Sequence, residues 1–184
     1  CELAMAATKV SYTGSEQYKS GQFYENLTDV TLTGDIRDDI VAVALSQVGY
    51  REGNNEQGYS GEIKVDNPNN YTEYGRWNYE TNGNGGQVNH AWCASFVAWC
   101  ARLANIPTSV VNNSAGSKNI TQSCPETYTV SDVTSGVYTP QPGDLIYFTF
   151  SHVGIVVSYD SATQKVITVE GNTGTDEYDN DGVY

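Results

Sequence analysis

Leu145-Ile146-Tyr147-Phe148-Thr149-Phe150, Val153-Gly154-Ile155-Val156-Val157-Ser158-Tyr159 and Lys165-Val166-Ile167-Thr168-Val169-Glu170 are three aromatic and β-branched runs separated by short polar breaks. Such runs read as strands. Pro140-Gln141-Pro142-Gly143-Asp144 is a turn that launches the first, and Asp160-Ser161-Ala162-Thr163-Gln164 is a hairpin loop between the second and third. Loops this short make the unit an antiparallel meander, and Gly171-Asn172-Thr173-Gly174 ends it. A hairpin turning near Ala162 sets the register: His152, at the start of the second strand, faces Asn172, with Glu170 its diagonal neighbour on the same face. Opposed Cβ atoms lie roughly 4.5–5.5 Å apart and diagonal ones roughly 7–8 Å apart, so His152 gains a polar or anionic orienting partner from local geometry alone.

Working upstream, the spacing predicts a helix over His90–Asn105. With Cys93 as origin, Phe96, Val97, Cys100, Leu103 and Ala104 fall on one inward stripe, and Asn105 and Pro107 end the helix. Cys93 sits in the first turn, where the macrodipole favours the thiolate, the nucleophilic form. Cys100, two turns deeper, reads as an inert core residue. A nucleophilic cysteine needs a base within reach, and only two histidines exist. His90, at the start of the helix, reads as a cap or wall residue; His152, with Glu170 and Asn172 beside it, reads as the base and its orienters. Another helix is expected from Ile36 to Val48 on the period of Ile36, Ile40, Val41, Ala44, Leu45 and Val48, capped by Asp35 and stopped by Gly49.

Residues 1–34 show no helical period and read as an arm or linker before a domain spanning 35–184. Residues 50–90 and 106–139 read as long polar, irregular segments. Within the first, Asp66-Asn67-Pro68-Asn69-Asn70 is a turn cluster whose oxygens could hold a structural calcium ion, although its spacing fits no calcium-loop template. Trp77, Trp92 and Tyr74 could line a groove for sugar and peptide, or simply fill the core. The acidic stretch Asp176–Asp181 reads as a loop, and the strand expected to close the sheet is missing.

Composition narrows the function. The chain has 184 residues, enough for one domain with a real core. With 9 basic against 22 acidic residues and a net charge of −13, it lacks the clustered cations that bind nucleic acid or anionic lipid. No apolar run approaches the roughly 18 residues of a membrane span. Cys1, Cys93, Cys100 and Cys124 include no CxxC pair, which argues against a zinc or dithiol site. Cys100 and Cys124 could pair as a disulfide, leaving Cys93 free. Ala4-Met5-Ala6 has the small-x-small pattern of a signal-peptidase site, and with the polar composition it points to secretion.

Ala91-Trp92-Cys93-Ala94-Ser95-Phe96-Val97, Pro142-Gly143-Asp144-Leu145-Ile146-Tyr147-Phe148, Ser151-His152-Val153-Gly154-Ile155-Val156 and Val169-Glu170-Gly171-Asn172-Thr173 resemble, in order, the sequence blocks of CHAP domains, the cysteine, histidine-dependent amidohydrolases/peptidases of the papain-like superfamily. Asp35–Gly53 also looks like the first helix of Gram-positive, gut-type members, whereas Trp92-Cys93-Ala94 departs from the Asp-Cys-Ser of related γ-glutamyl peptidases. The resemblance implies an α+β, papain-like fold with N-terminal helices packed on the antiparallel meander. It implies Cys93 as nucleophile, His152 as general base, and Glu170 and Asn172 as the groups that orient the imidazole. The implied substrate is bacterial peptidoglycan, cut at the muramoyl–peptide amide or within the peptides by a secreted or wall-associated monomer that needs no cofactor. A catalytically silent wall-binding module, and a thiol amidase acting on another amide such as glutathionylspermidine, are the competing expectations. No wall-anchoring module is visible, and members usually continue for one or two strands beyond the position of Tyr184.

Overall fold

The computed structural model describes residues 7–83, 85–174 and 182–184. Cys1, Ala4-Met5-Ala6 and the acidic stretch Asp176–Asp181 lie outside the described residues. The meander forms as β3 (Leu145–Phe148), β4 (His152–Asp160) and β5 (Lys165–Val169), antiparallel in the order β3-β4-β5. The register expected from a turn at Ala162 holds at Ile155↔Val169 and Val156↔Thr168. Beyond a bulge at Val157 it shifts by one residue, to Ser158↔Ile167 and Asp160↔Lys165. β3 stops earlier than expected. Thr149-Phe150-Ser151 is a three-residue hairpin loop, closed by Ser151 N–H donating to the Phe148 carbonyl (3.0 Å), with Ser151 at φ +68°.

Against the sheet lies α5 (Cys93–Leu103). The expected single stripe understates its burial: every residue from Cys93 to Ala101 is buried, because the helix packs against other helices as well as β4. Those neighbours include α3 (Ile36–Leu45), capped by Asp35 accepting from Arg37 N–H (2.9 Å), and α4 (Glu73–Asn82). α3 is shorter than expected and turned slightly: Ile40, Val43 and Ala44 face the core, while Ile36, Leu45 and Val48 are exposed. α4 falls within the segment expected to be irregular. Its core-facing residues are Glu73, Tyr74, Gly75 and Asn78, so no apolar period announces it. The second segment also carries α6 (Ser117–Thr121) and α7 (Val130–Thr134).

Residues 7–34 are no arm. They form β1 (Thr8–Lys9), α1 (Glu16–Lys19), α2 (Gln22–Asp29) and β2 (Thr31–Leu32), and Val10, Tyr18, Phe23, Leu27 and Leu32 join the same hydrophobic core as α5. Buried Gln47 ties this layer in. Its Oε1 accepts from the Tyr18 and Tyr74 hydroxyls (2.9 Å each), and its Nε2 donates to the Phe23 carbonyl (3.0 Å). After the meander the chain makes one more short pairing, in a sheet of its own. β7 (Gly182–Val183) pairs antiparallel with β6 (Gly171–Thr173), and Tyr184 exchanges both backbone hydrogen bonds with Glu170 (2.8 and 3.1 Å). The arrangement is mixed helix and antiparallel sheet, consistent with the α+β class.

Candidate active site

Cys93 is the first residue of α5, and Trp92 is its cap residue. Trp92 is fully buried, donates through Nε1–H to Glu52 Oε2 (2.8 Å) and stacks on Tyr74 (centroids 5.4 Å apart). This locks the backbone that presents Cys93. It also removes Trp92 and Tyr74 from any groove: both are core residues without surface to offer a ligand. Trp77 is half-buried and lines, with Tyr12, Arg76 and Glu80, a separate cavity of about 370 Å³ that shares no lining residue with the Cys93 cleft.

β6 crosses close to the start of α5. A Cβ on Gly171 would lie 2.7 Å from Trp92 Cζ3 and 2.8 Å from Phe96 Cβ, so only glycine admits this approach. Glu170 and Asn172 are thereby set on either side of the contact, and both reach the cleft that holds Cys93. That cleft, about 320 Å³, is lined by Ala91, Cys93, Phe150, Ser151, His152, Glu170, Asn172 and Thr173.

His152 opens β4 and is buried. Its Nε2–H donates to Glu170 Oε2 (2.9 Å), and the Cys93 side chain shares the cleft with the ring, close enough to act on its charge. The diagonal reach from Glu170 to His152 passes over Gly154, where a Cβ would lie 2.6 Å from Glu170 Cγ. Thr168 Oγ1 donates to the other carboxylate oxygen (2.6 Å) and fixes the group from behind. Cys93 and then Glu170 raise the pKa of His152 to about 9 against the opposing effect of burial. The bond from His152, and then that from Thr168, holds Glu170 below the usual carboxylate range despite its burial.

Asn172 lines the same cleft without a hydrogen bond to the imidazole. It adopts φ +59°, and its buried Oδ1 has no partner among the described residues. His90 is occupied elsewhere: Nδ1–H donates to the Gln87 carbonyl (2.8 Å) and Nε2 accepts from the Ser95 hydroxyl (2.7 Å), which pins the loop leading into α5. Cys93, Cys100 and Cys124 are free thiols, so the considered Cys100–Cys124 disulfide is not formed. Cys100 lies in the fully buried stretch of α5 and Cys124 follows α6, and burial pushes both thiols up. Among the described residues no group of three or more His, Cys, Asp or Glu is disposed to hold an ion.

A thiol, an imidazole and a carboxylate brought together in one cleft at a helix N-terminus, the last two hydrogen-bonded, form a nucleophile, base and orienter arrangement. The sequence model of the CHAP domain family matches residues 82–172, a span that contains all three and Asn172. The chain contains a CHAP domain. CHAP domains are in general amidases or peptidases that act on peptidoglycan. Comparison with curated proteins and with solved structures gives no match. The CHAP match begins at the last residue of α4, although the core it belongs to also includes residues from α1, α2 and α3. Phe150, Gly154, Thr168 and Gly171 carry parts of the site that the sequence reading passed over. Gly154 was visible as a break within a strand-like run, where close backbone or side-chain approach is the usual cause.

Proposed function

We propose that this protein hydrolyses an amide bond of bacterial peptidoglycan by thiol catalysis, with Cys93 as nucleophile, His152 as general acid and base, and Glu170 as the group that orients and charges the imidazole. The observation that carries this reading is the series Cys93–His152–Glu170 in one cleft at the start of α5. The Cys93 sulfur attacks the amide carbonyl and forms the S–C bond. The oxyanion is held by the Cys93 backbone N–H and a second donor; no side chain of the cap residue Trp92 competes for the first-turn N–H groups. His152 passes its proton to the leaving nitrogen as the C–N bond breaks. It then takes a proton from water, whose oxygen attacks the acyl carbon, and the S–C bond breaks to release the acid. No metal or organic group enters any step. Asn172 lines the cleft beside the reacting groups. A wall substrate implies a secreted or wall-associated protein.

The test is digestion of purified peptidoglycan with mass spectrometry of the new termini. Wild type should release either free muramic lactyl groups, marking an amidase, or new peptide amines, marking an endopeptidase. Cys93→Ala and His152→Ala should each lose several orders of magnitude in rate while keeping the wild-type circular dichroism spectrum. Undiminished digestion by Cys93→Ala would overturn the assignment of the nucleophile.

A further inference from the structure

The three-residue loop between β3 and β4 sets an aromatic ring at the mouth of the cleft. Phe150 is 74% exposed, yet its ring stacks on the imidazole of His152 (centroids 5.8 Å apart, planes at 15°) and on Phe148 (5.3 Å, 22°). Phe148 is itself the cross-strand partner of His152, so the three rings form one cluster. The loop that presents Phe150 is not slack. Ser151 accepts a left-handed backbone, which a residue other than glycine adopts only at a cost, and the buried Ser117 hydroxyl donates to the Ser151 carbonyl (2.9 Å) to hold it there. A large apolar ring held in water beside the base, rather than folded into the core, offers uncovered apolar area at the mouth of the cleft.

We propose that Phe150 is the platform for the leaving half of the substrate, and that it selects an aliphatic side chain on the residue that supplies the leaving amine. This rests on the proposed roles of Cys93 and His152. His152 must deliver its proton to the leaving nitrogen, so the ring stacked on His152 borders the amine side of the scissile bond and not the acyl side. In both candidate wall amides the amine side is an amino acid, which makes the occupant of Phe150 a side chain and not a sugar. Glu170 lies in the same cleft, on a chain of net charge −13, and disfavours an acidic residue there.

Alkylation of Cys93 by haloacetyl amides tests this whichever of the two amides is cleaved. Iodoacetyl-glycinamide and iodoacetyl-leucinamide share the reacting carbon and differ only on the amine side. The thiolate displaces iodide, and labelling of the Cys93 peptide is followed by mass spectrometry. Each rate is divided by that of free cysteine with the same reagent. Wild type should react roughly tenfold faster with the leucinamide than with the glycinamide. Phe150→Ala should bring that ratio close to one, and Phe150→Tyr should restore it. A wild-type ratio near one, or an unchanged ratio in Phe150→Ala, would overturn the platform. Failure of the underlying reading has a different signature: Cys93 labelled by both reagents no faster than free cysteine, with the ratio still measurable. Phe150 is largely solvent-exposed, so a fold change is not expected, and circular dichroism checks it.

Discussion

His152 is the residue through which pH acts on this site. Its pKa is raised to about 9, first by Cys93 and then by Glu170, so the imidazolium persists through the neutral range. A proton that must reach the leaving amine is therefore present until about pH 9, and the rate should fall above that. Glu170→Gln removes the second of the two causes, so the alkaline limb of kcat/KM should move toward neutrality while the acid limb of the profile moves less. A stopped assay from about pH 5 to about pH 10 reads both limbs. The sign for folding follows from the same shift. A histidine whose pKa is raised on folding stabilises the native state fully below the unfolded value of about 6.5, and that contribution is lost as pH climbs through the folded value. The urea midpoint should therefore fall between about pH 6.5 and about pH 9 in wild type, and fall less in Glu170→Gln. Identical slopes in the two proteins would dissociate Glu170 from the charge on His152.

Asn172 is the second residue to probe. Its left-handed backbone makes Asn172→Ala a strained replacement, whereas Asn172→Gly removes the amide and keeps the conformation available. Asn172→Gly should lower kcat by about tenfold or more with little change in the urea midpoint. An unchanged kcat would remove Asn172 from the site chemistry. The pairing of His152 with Glu170 was legible because a hairpin register can be counted from its loop. The failure of Asn172 to reach the ring was not, since β6 leaves the meander to pair with β7 and the register no longer governs its side chains.

At the scale of elements, the two joints that hold the site are a glycine and a turn. Gly171 lets β6 pass against Trp92 and Phe96 at a distance no Cβ can occupy. Gly171→Ala should force the strand off the helix and destabilise the fold by about 1–3 kcal/mol, the usual cost of overpacking a core contact. It should also widen the gap between His152 and Cys93, so loss of activity at temperatures where the protein remains folded is the expected outcome. Denaturant titration beside the activity assay separates the two effects. The turn ahead of β3 is fixed by Asp144, whose carboxylate takes Arg37 Nη1 (2.7 Å), Gln141 N–H (2.8 Å) and the Tyr138 hydroxyl. α5 and the meander were readable because burial imposes a period on their sequences. α4 was not: its inner face is built from Glu73, Tyr74, Gly75 and Asn78, and the cost of burying Glu73 is met by Arg76, by the Tyr12 hydroxyl (2.7 Å) and by Ser15 N–H (3.1 Å). Two of these partners, Tyr12 and Ser15, lie far back in the chain, beyond the reach of any local pattern.

At the scale of the whole molecule, the layer formed by residues 7–34 belongs to the core. Tyr18 and Trp99 meet edge to face (6.1 Å), and Tyr12 meets Trp99 in the same way (5.3 Å). The missing helical period that suggested an arm reflects short elements, since α1 has four residues and α2 eight, too few to display one. Leu27→Ala should cost about 2–5 kcal/mol, as expected for a fully buried leucine. Removal of residues 1–34 should leave a protein that is protease-sensitive and binds hydrophobic dyes, with Cys93 no longer activated. A stable, active remainder would return this layer to the status of an appendage. Among the described residues no helix is long and apolar enough to cross a membrane.

Cys93 and His152 come from elements far apart in the chain, one from a helix packed among helices and the other from the first residue of a hairpin strand. That separation has a kinetic consequence. Helices form in microseconds or faster, whereas contacts between distant parts of a chain wait on loop closure and strand pairing. On dilution from denaturant, far-ultraviolet ellipticity should therefore recover before the rapid alkylation of Cys93 does. The nucleophile would exist for a time as an ordinary helix-end cysteine, and become reactive only when the hairpin delivers its imidazole. Stopped-flow ellipticity followed in parallel with quenched alkylation would time that interval.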